Sequence, residues 1–146
     1  MRMHPWRRAT VMALALVPLA VGCGTPTIAP LPTLTITAPQ NSATVQGRQV
    51  KIEVQVANWK LVDAGSPVAT GEGHLHFFVD QPASAVPAGQ AIPAGTAAYV
   101  HAGKAPYTSR ELELTPGQHT ITVVMGDSSH VALAQPTPQI VTFTVQ

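Results

Sequence analysis

The sequence contains little cysteine and few charged residues. Cys23 is the only cysteine among the 146 residues, so no disulfide can form within the chain and a packed core must stabilise any folded domain. Charged residues make up 10% of the chain, and no cluster of basic residues forms the patch by which proteins bind nucleic acid or anionic lipid. The composition therefore argues against both a disulfide-stapled domain and a nucleic-acid-binding protein.

An apolar run near the N-terminus has the organisation of a secretory signal peptide. Three arginines, the last of them Arg8, precede the apolar residues 11–21, and a small residue, Gly22, leads into Cys23. The run is too short to span a membrane comfortably, so residues 1–22 are predicted to be a signal peptide. A cysteine directly after an apolar run and a small residue resembles the lipobox of bacterial lipoproteins. It implies that Cys23 is acylated, for example with palmitate, and anchors an exported protein to the cell membrane or envelope. The alternative is a secreted protein with a free thiol.

The chain from Cys23 onward is predicted to be one small domain behind a tether. Residues 23–39 are rich in threonine and proline, which favours a stiff, extended segment, although residues 34–37 also have the composition of a first short strand. Residues 40–146 are sufficient for one domain with its own core. This part of the chain holds five basic and seven acidic residues, a net charge of −2 spread thinly along it.

Strand patterns recur through the predicted domain. Residues 50–56 alternate apolar and polar side chains without interruption, which is typical of a strand with one face in a core. Further strands are predicted at 59–62, 74–79, 97–101, 109–114, 119–125 and 140–145, and no window has sustained helical periodicity. About seven to eight short strands predict an all-β fold, an antiparallel immunoglobulin-like β-sandwich. Residues 80–95, rich in proline, alanine and glycine, are predicted to be a mobile surface excursion between two strands.

The stretch GEGHLHFFVD, residues 71–80, contains two histidines one residue apart. Side chains alternate between the two faces of a strand, so Leu75 and Phe77 share one face and His74, His76 and Phe78 share the other. The first set is the better core face, and the histidines are therefore expected on the solvated side of the sheet. At this spacing, two imidazoles can bind one metal ion. An exposed Phe78 beside them indicates a partly covered site or a contact surface.

Three further histidines lie downstream. His101 ends a predicted strand and His130 lies in a loop, so both are candidates to join the pair. His119 follows a tight turn, in the position where a tyrosine closes the corner of immunoglobulin-like domains by bonding backbone, which indicates a structural role. Imidazole ligands suit copper(II) and zinc. The candidate metal ligands are His74, His76, His101 and His130.

Two motifs resemble those of a family of short exported bacterial domains of unknown function. The first is G-x-G-H-x-H-x-x-x-D at residues 71–80. The second is P-G-x-H-T-x-x-x-x-x-G-D-x-x-H at residues 116–130, and a strand ending in His101 lies between them. The resemblance covers roughly residues 44–146. It implies one immunoglobulin-like sandwich, often behind a lipoprotein signal, and brings no established activity.

No motif of an enzyme stands out. The chain has no phosphate-binding glycine loop and no dinucleotide fingerprint. Ser128 and Ser129 adjoin His130, but neighbours within one loop rarely form a nucleophilic triad. The sequence therefore predicts a non-catalytic protein and identifies no protein partner. Two functions remain open: a membrane-anchored domain that binds copper or zinc, and a structural or adhesive module whose histidines stabilise turns or contact a partner. Convergence of the four histidines in space would favour the first.

Overall fold

Nine β-strands form the fold of residues 29–93 and 95–146, the part of the chain that this computed structural model describes. A single turn of 3₁₀-helix, Ala83–Ala85, follows the fifth strand. The strands are β1 (Thr33–Ala38), β2 (Thr44–Val45), β3 (Gln49–Ala57), β4 (Lys60–Leu61), β5 (Glu72–Val79), β6 (Tyr99–His101), β7 (Ser109–Glu113), β8 (Gly117–Gly126) and β9 (Gln139–Val145). Within these residues no helix has the length and apolar character needed to cross a membrane.

The predicted signal peptide and Cys23 lie outside the described residues, as does the start of the predicted tether. The boundary of that tether at residue 39 is wrong, because β1 already belongs to the sandwich. Thr33–Ala38 pairs antiparallel with β3, and Leu34 is buried in the core. Threonine is a good strand former, and Leu34 and Ile36 supply the apolar face that ties this segment to the domain.

The strands form two sheets in an immunoglobulin-like arrangement. One sheet has the order β1-β3-β7, and the other has the order β2-β9-β8-β5-β4, with β6 also paired to β5. The predicted β-sandwich is confirmed, with seven longer strands and two strands of two residues. The pairs among the longer strands are antiparallel, whereas the two-residue strands β2 and β4 pair in parallel with their neighbours.

The main core lies between the two sheets and follows from the alternation seen in β3. Val50, Ile52 and Val54 are buried, whereas Lys51 and Gln55 on the other face are exposed. The facing sheet contributes the alternate residues of its central strands, as strand geometry requires. These are Leu75, Phe77, Ile121, Val123, Met125, Val141 and Phe143.

The outer face of the larger sheet is covered at β5, and the prediction that the histidines lie on a solvated face was wrong. His74, His76 and Phe78 are 0%, 1% and 0% exposed. Part of the segment predicted to be a surface excursion, residues 80–95, covers this face, where Val86 and Ile92 pack with Phe78 in a second apolar cluster. Alternation along β5 determines which side chains share a face. It carries no information on whether another segment covers that face.

Candidate metal centre

Strand pairing places three of the four candidate histidines on one face of the larger sheet. His74 and His76 lie two residues apart on β5, so their side chains share one face. This strand is flanked by β8 on one side and by β6 on the other. His101, at the end of β6, is the direct cross-strand partner of His76. Side chains of such partners project to the same face with their Cβ atoms about 4.5–5.5 Å apart. Alternation along β5 and the register of the β5–β6 pair therefore bring three imidazoles together.

Glycines make room for these rings. Gly126 is the partner of His74 in β8, and a Cβ atom there would lie 2.6 Å from Nε2 of His76. At Gly103 a Cβ atom would lie 2.5 Å from Cδ2 of His101. At Gly73 it would overlap the carbonyl oxygen of Gly126. Two of these glycines belong to the sequence motifs, and the contacts give a physical reason for them: any side chain would collide with a histidine ring or with the backbone beside it.

The fourth histidine arrives from the loop after β8. Oδ1 of Asp127 accepts hydrogen bonds from the backbone N–H of Ser129 (2.8 Å) and of Val131 (2.9 Å), and from the Ser129 hydroxyl (2.8 Å). His130 has a φ of 68°, a left-handed conformation in which histidine is several-fold enriched among non-glycine residues. Its carbonyl oxygen accepts a 2.7 Å bond from the N–H of Ile92. These bonds hold the loop in the shape that turns His130 toward β5.

All four predicted histidines converge. One ligand atom each from His74, His76 and His130 can be chosen so that all three lie within 4.8 Å of one another. The His101 ring centre lies 5.6 Å from that of His74, 5.7 Å from that of His76 and 4.8 Å from that of His130. His101 does not join the tightest set of ligand atoms, but its ring closes the fourth side of the cluster.

The environment keeps the buried imidazoles neutral. Burial, followed by the neighbouring His130 and His101, lowers the pKa of His74 to about 4, against the opposing effect of Asp127. Burial, followed by the other histidines, lowers the pKa of His76 to about 2. The pKa of His101 is also lowered, chiefly by burial and then by His130 and Arg110. At neutral pH these three rings each have a ring nitrogen with a free lone pair, which is the form that binds metal.

The buried ring nitrogens are unsatisfied. Nδ1 and Nε2 of His74 and Nε2 of His76 have no hydrogen-bond partner among the described residues. An unpaired buried polar group costs about 1–3 kcal/mol. Carboxylates are absent from the ligand-competent group in the described part of the chain, so the cluster offers nitrogen ligands alone.

His119 stands apart from the cluster and makes the contacts of a corner residue, as its position in the sequence predicted. Its Nε2 lies 2.8 Å from the carbonyl oxygen of Thr115, and its Nδ1 lies 2.9 Å from Oδ2 of Asp80. Burial opposes protonation of the ring, but the hydrogen bonds to Asp80 and Thr115 outweigh it and raise the pKa of His119. The ring thus joins the turn before β8 to the end of β5.

The sequence interpretation missed the residues that enclose and orient the cluster. Asp127 and Gly126 lie in the second motif, but nothing in the pattern says that one shapes a loop and the other clears space for His76. Ile92 lies in a stretch of low complexity. The only available signal was its apolar side chain among alanine, proline and glycine.

The family model described as a domain of unknown function, DUF4399, matches residues 52–146. The chain belongs to this family. The matched segment of the DUF4399 domain contains all four clustered histidines and both motifs, so the family predicted from the motifs is confirmed. No curated protein matches the chain.

Two solved structures resemble the DUF4399 sandwich at low sequence identity. The fibronectin(III)-like modules of Clostridium thermocellum CbhA are 18% identical, with a TM-score of 0.47 over 78% of this chain and 97% of theirs. An engineered protein is 11% identical, with a TM-score of 0.48 over 82% of this chain and 21% of its own.

Proposed function

We propose that this DUF4399 protein is a non-catalytic lipoprotein of the bacterial cell envelope whose sandwich binds one copper(II) or zinc ion through His74, His76, His101 and His130. One observation carries the metal-binding proposal. His74 and His76 are buried and neutral, and they face two further imidazoles. Both ring nitrogens of His74 and Nε2 of His76 have no hydrogen-bond partner among the described residues. A bound cation would give one nitrogen of each ring a partner.

A purely structural role accounts less well for the cluster. Buried polar side chains that stabilise a fold are normally paired by hydrogen bonds, as the His119 ring is with Asp80 and Thr115. The clustered rings lie 4.7–5.7 Å apart, centre to centre. Without a shared ligand, such an arrangement leaves desolvated donors and acceptors uncompensated.

Binding without catalysis fits the surroundings of the cluster. A hydrolytic metal site needs a nearby general base in addition to the ion. Asp127 is the carboxylate whose charge acts on His74, and its Oδ1 is already engaged in three hydrogen bonds within its own loop. This supports a protein that holds or carries the ion.

The proposed location follows from the leader. Cys23 comes directly after an apolar run and a small residue, the arrangement of a lipoprotein signal. Acylation there would attach the protein to the membrane, with the segment before β1 joining the lipid to the sandwich.

Metal titration of the domain tests the proposal. The protein from residue 24 onward, freed of metal with a chelator and titrated with Zn(II) and Cu(II), is expected to bind one ion per chain by calorimetry. His76→Ala should weaken binding more than tenfold, since even residues that only orient a ligand change metal affinity about 10–100-fold. His119→Gln is the matched control, because it removes a histidine outside the cluster and should leave affinity unchanged. If the intact domain binds neither ion, the metal proposal fails and a structural module remains.

A further inference from the structure

We infer that the four histidines form a closed tetrahedral centre, the geometry of a structural zinc(II) site. The inference rests on the proposed metal-binding function and narrows it to one ion and one coordination geometry. It comes from the separations between the rings, which differ characteristically between the geometries that zinc(II) and copper(II) prefer.

The expected separation for a tetrahedral centre follows from bond lengths. A zinc–nitrogen bond of about 2.0–2.1 Å places the centre of a bound imidazole about 3.2 Å from the metal, so four tetrahedral rings lie about 5.2 Å apart. All six separations between the four rings lie between 4.7 and 5.7 Å. Each is within about half an ångström of the tetrahedral value.

A square-planar centre predicts a different set of distances. Neighbouring rings would lie about 4.5 Å apart and the two opposite pairs about 6.4 Å apart. The largest observed separation is 5.7 Å, between His76 and His101. The rings therefore lack the two long diagonals of the tetragonal arrangement that copper(II) favours, and they are distributed around a centre in three dimensions.

His101 completes the tetrahedron by a rotation of its ring. Its nitrogens lie outside the tightest set of ligand atoms, whereas its ring centre is at a ligand's distance from the other three. The Cβ–Cγ bond points through the ring centre, so turning the imidazole about that bond moves the nitrogens and leaves the centre in place.

The ligand set also argues against copper(I). Soft sulfur ligands select copper(I), whereas imidazole serves zinc well. Met125 is the sulfur-bearing side chain closest in sequence to His130. It packs in the core between the sheets, on the face of β8 opposite the histidines. A centre with four protein ligands has no position left for water or substrate, which is the form of a structural zinc site.

Cobalt(II) is the probe that tests this geometry, because tetrahedral cobalt(II) absorbs visible light strongly and octahedral cobalt(II) absorbs weakly. The metal-free domain loaded with Co(II) is expected to give the intense tetrahedral spectrum. Zn(II) should displace the cobalt and abolish that spectrum. His101→Ala should lose or shift the spectrum and bind Co(II) more than about tenfold less tightly, and added imidazole should restore it by filling the vacated position. His119→Gln should keep the spectrum of the unaltered domain.

The outcomes separate this inference from the function on which it rests. A weak, octahedral cobalt spectrum, or a His101→Ala spectrum identical to that of the unaltered domain, overturns the tetrahedral centre while metal binding itself stands. A Cu(II) complex with the electron paramagnetic resonance of a tetragonal site shows that the rings adopt the square arrangement, and it overturns the assignment of the centre to zinc. No binding of Co(II), Zn(II) or Cu(II) overturns both proposals.

Discussion

The side chain of His76 combines near-complete burial with an unsatisfied ring nitrogen. It is 1% exposed, and its Nε2 has no hydrogen-bond partner among residues 29–93 and 95–146. Functional groups of this kind commonly reduce the stability of the protein that holds them. His119 is the useful contrast, since both of its nitrogens have oxygen partners.

Replacement of these two histidines by leucine should therefore have opposite effects. In the metal-free protein, His76→Leu should leave the free energy of unfolding unchanged or raise it by about 1–2 kcal/mol, because an unpaired polar group is exchanged for an apolar one. The same variant should lose metal affinity. His119→Leu should lower the free energy of unfolding by about 1–2 kcal/mol, because it breaks hydrogen bonds. Urea denaturation measures both, and equal destabilisation by the two changes would assign His76 a structural role.

Acidification should destabilise the metal-free protein through the buried histidines. The folded-state pKa values of His74 and His76, about 4 and about 2, lie below the unfolded value of about 6.5. The unfolded chain therefore takes up protons first as the pH falls below 6.5, and stability decreases from there toward the folded values. A loss on the order of 2–4 kcal/mol is expected between pH 7.5 and pH 5.

The matched variant for that measurement carries His74→Leu and His76→Leu together, and its stability should depend less on pH. His119 acts in the opposite sense. Its raised pKa contributes stability that is present below pH 6.5 and is lost as the pH rises through the folded value. A double variant with the same acid sensitivity as the unaltered domain would contradict the assignment to the buried pair.

At the scale of the element, the strands position the histidine side chains and the loops enclose them. β5 presents its histidines by alternation, and β6 adds His101 through register. Val86 and Ile92, which follow β5, cover part of the outer face, and the N–H of Ile92 donates to the carbonyl oxygen of His130. A backbone hydrogen bond between two loops therefore connects Ile92, which covers the face, to His130, the fourth proposed ligand.

Strand β3 provides a test of the sandwich that is independent of the metal site. Val54 is 4% exposed within the core, whereas its neighbour Gln55 faces solvent. Val54→Asp should lower the free energy of unfolding by more than about 3 kcal/mol, because it buries an unpaired carboxylate. Gln55→Asp, which adds the same charge on the exposed face, should change it by less than about 0.5 kcal/mol. Thermal and urea unfolding would show the contrast, and similar losses in both variants would contradict this packing.

At the scale of the whole molecule, two sheets of unequal size support one site. The core between the sheets makes the fold, and the histidine cluster lies on the far side of the larger sheet, on the same face as the second apolar cluster. Changes in the cluster are therefore expected to alter binding with little effect on the main core. The lipid anchor proposed at Cys23 would hold this domain at the membrane surface.

Replacing Cys23 with alanine should release the protein from membranes. The acyl chains attached to that thiol are the proposed attachment, and covalent lipid contributes about 0.8 kcal/mol for each buried CH₂ group. Fractionation of cells making the Cys23→Ala protein should move it from the membrane pellet to the soluble fraction, while Ser42→Ala, an exposed change within the domain, should leave it in the pellet. A Cys23→Ala protein that stays in the pellet would contradict lipid anchoring.

The sequence by itself determined the strands, the sandwich and the family, because alternation along β3 and β5 and the spacing of the motifs are local properties. It also singled out the four histidines, since their residue type and strand or loop setting can be read without a fold. Only the tertiary structure decided that they meet, that His74 and His76 are buried, and that the sandwich begins at β1. These outcomes depend on strand register, on the packing of Val86 and Ile92 over the sheet and on the Asp127 loop, which brings His130 to β5. Each of these is a contact between separate elements of the fold, and the pattern within one element does not encode it.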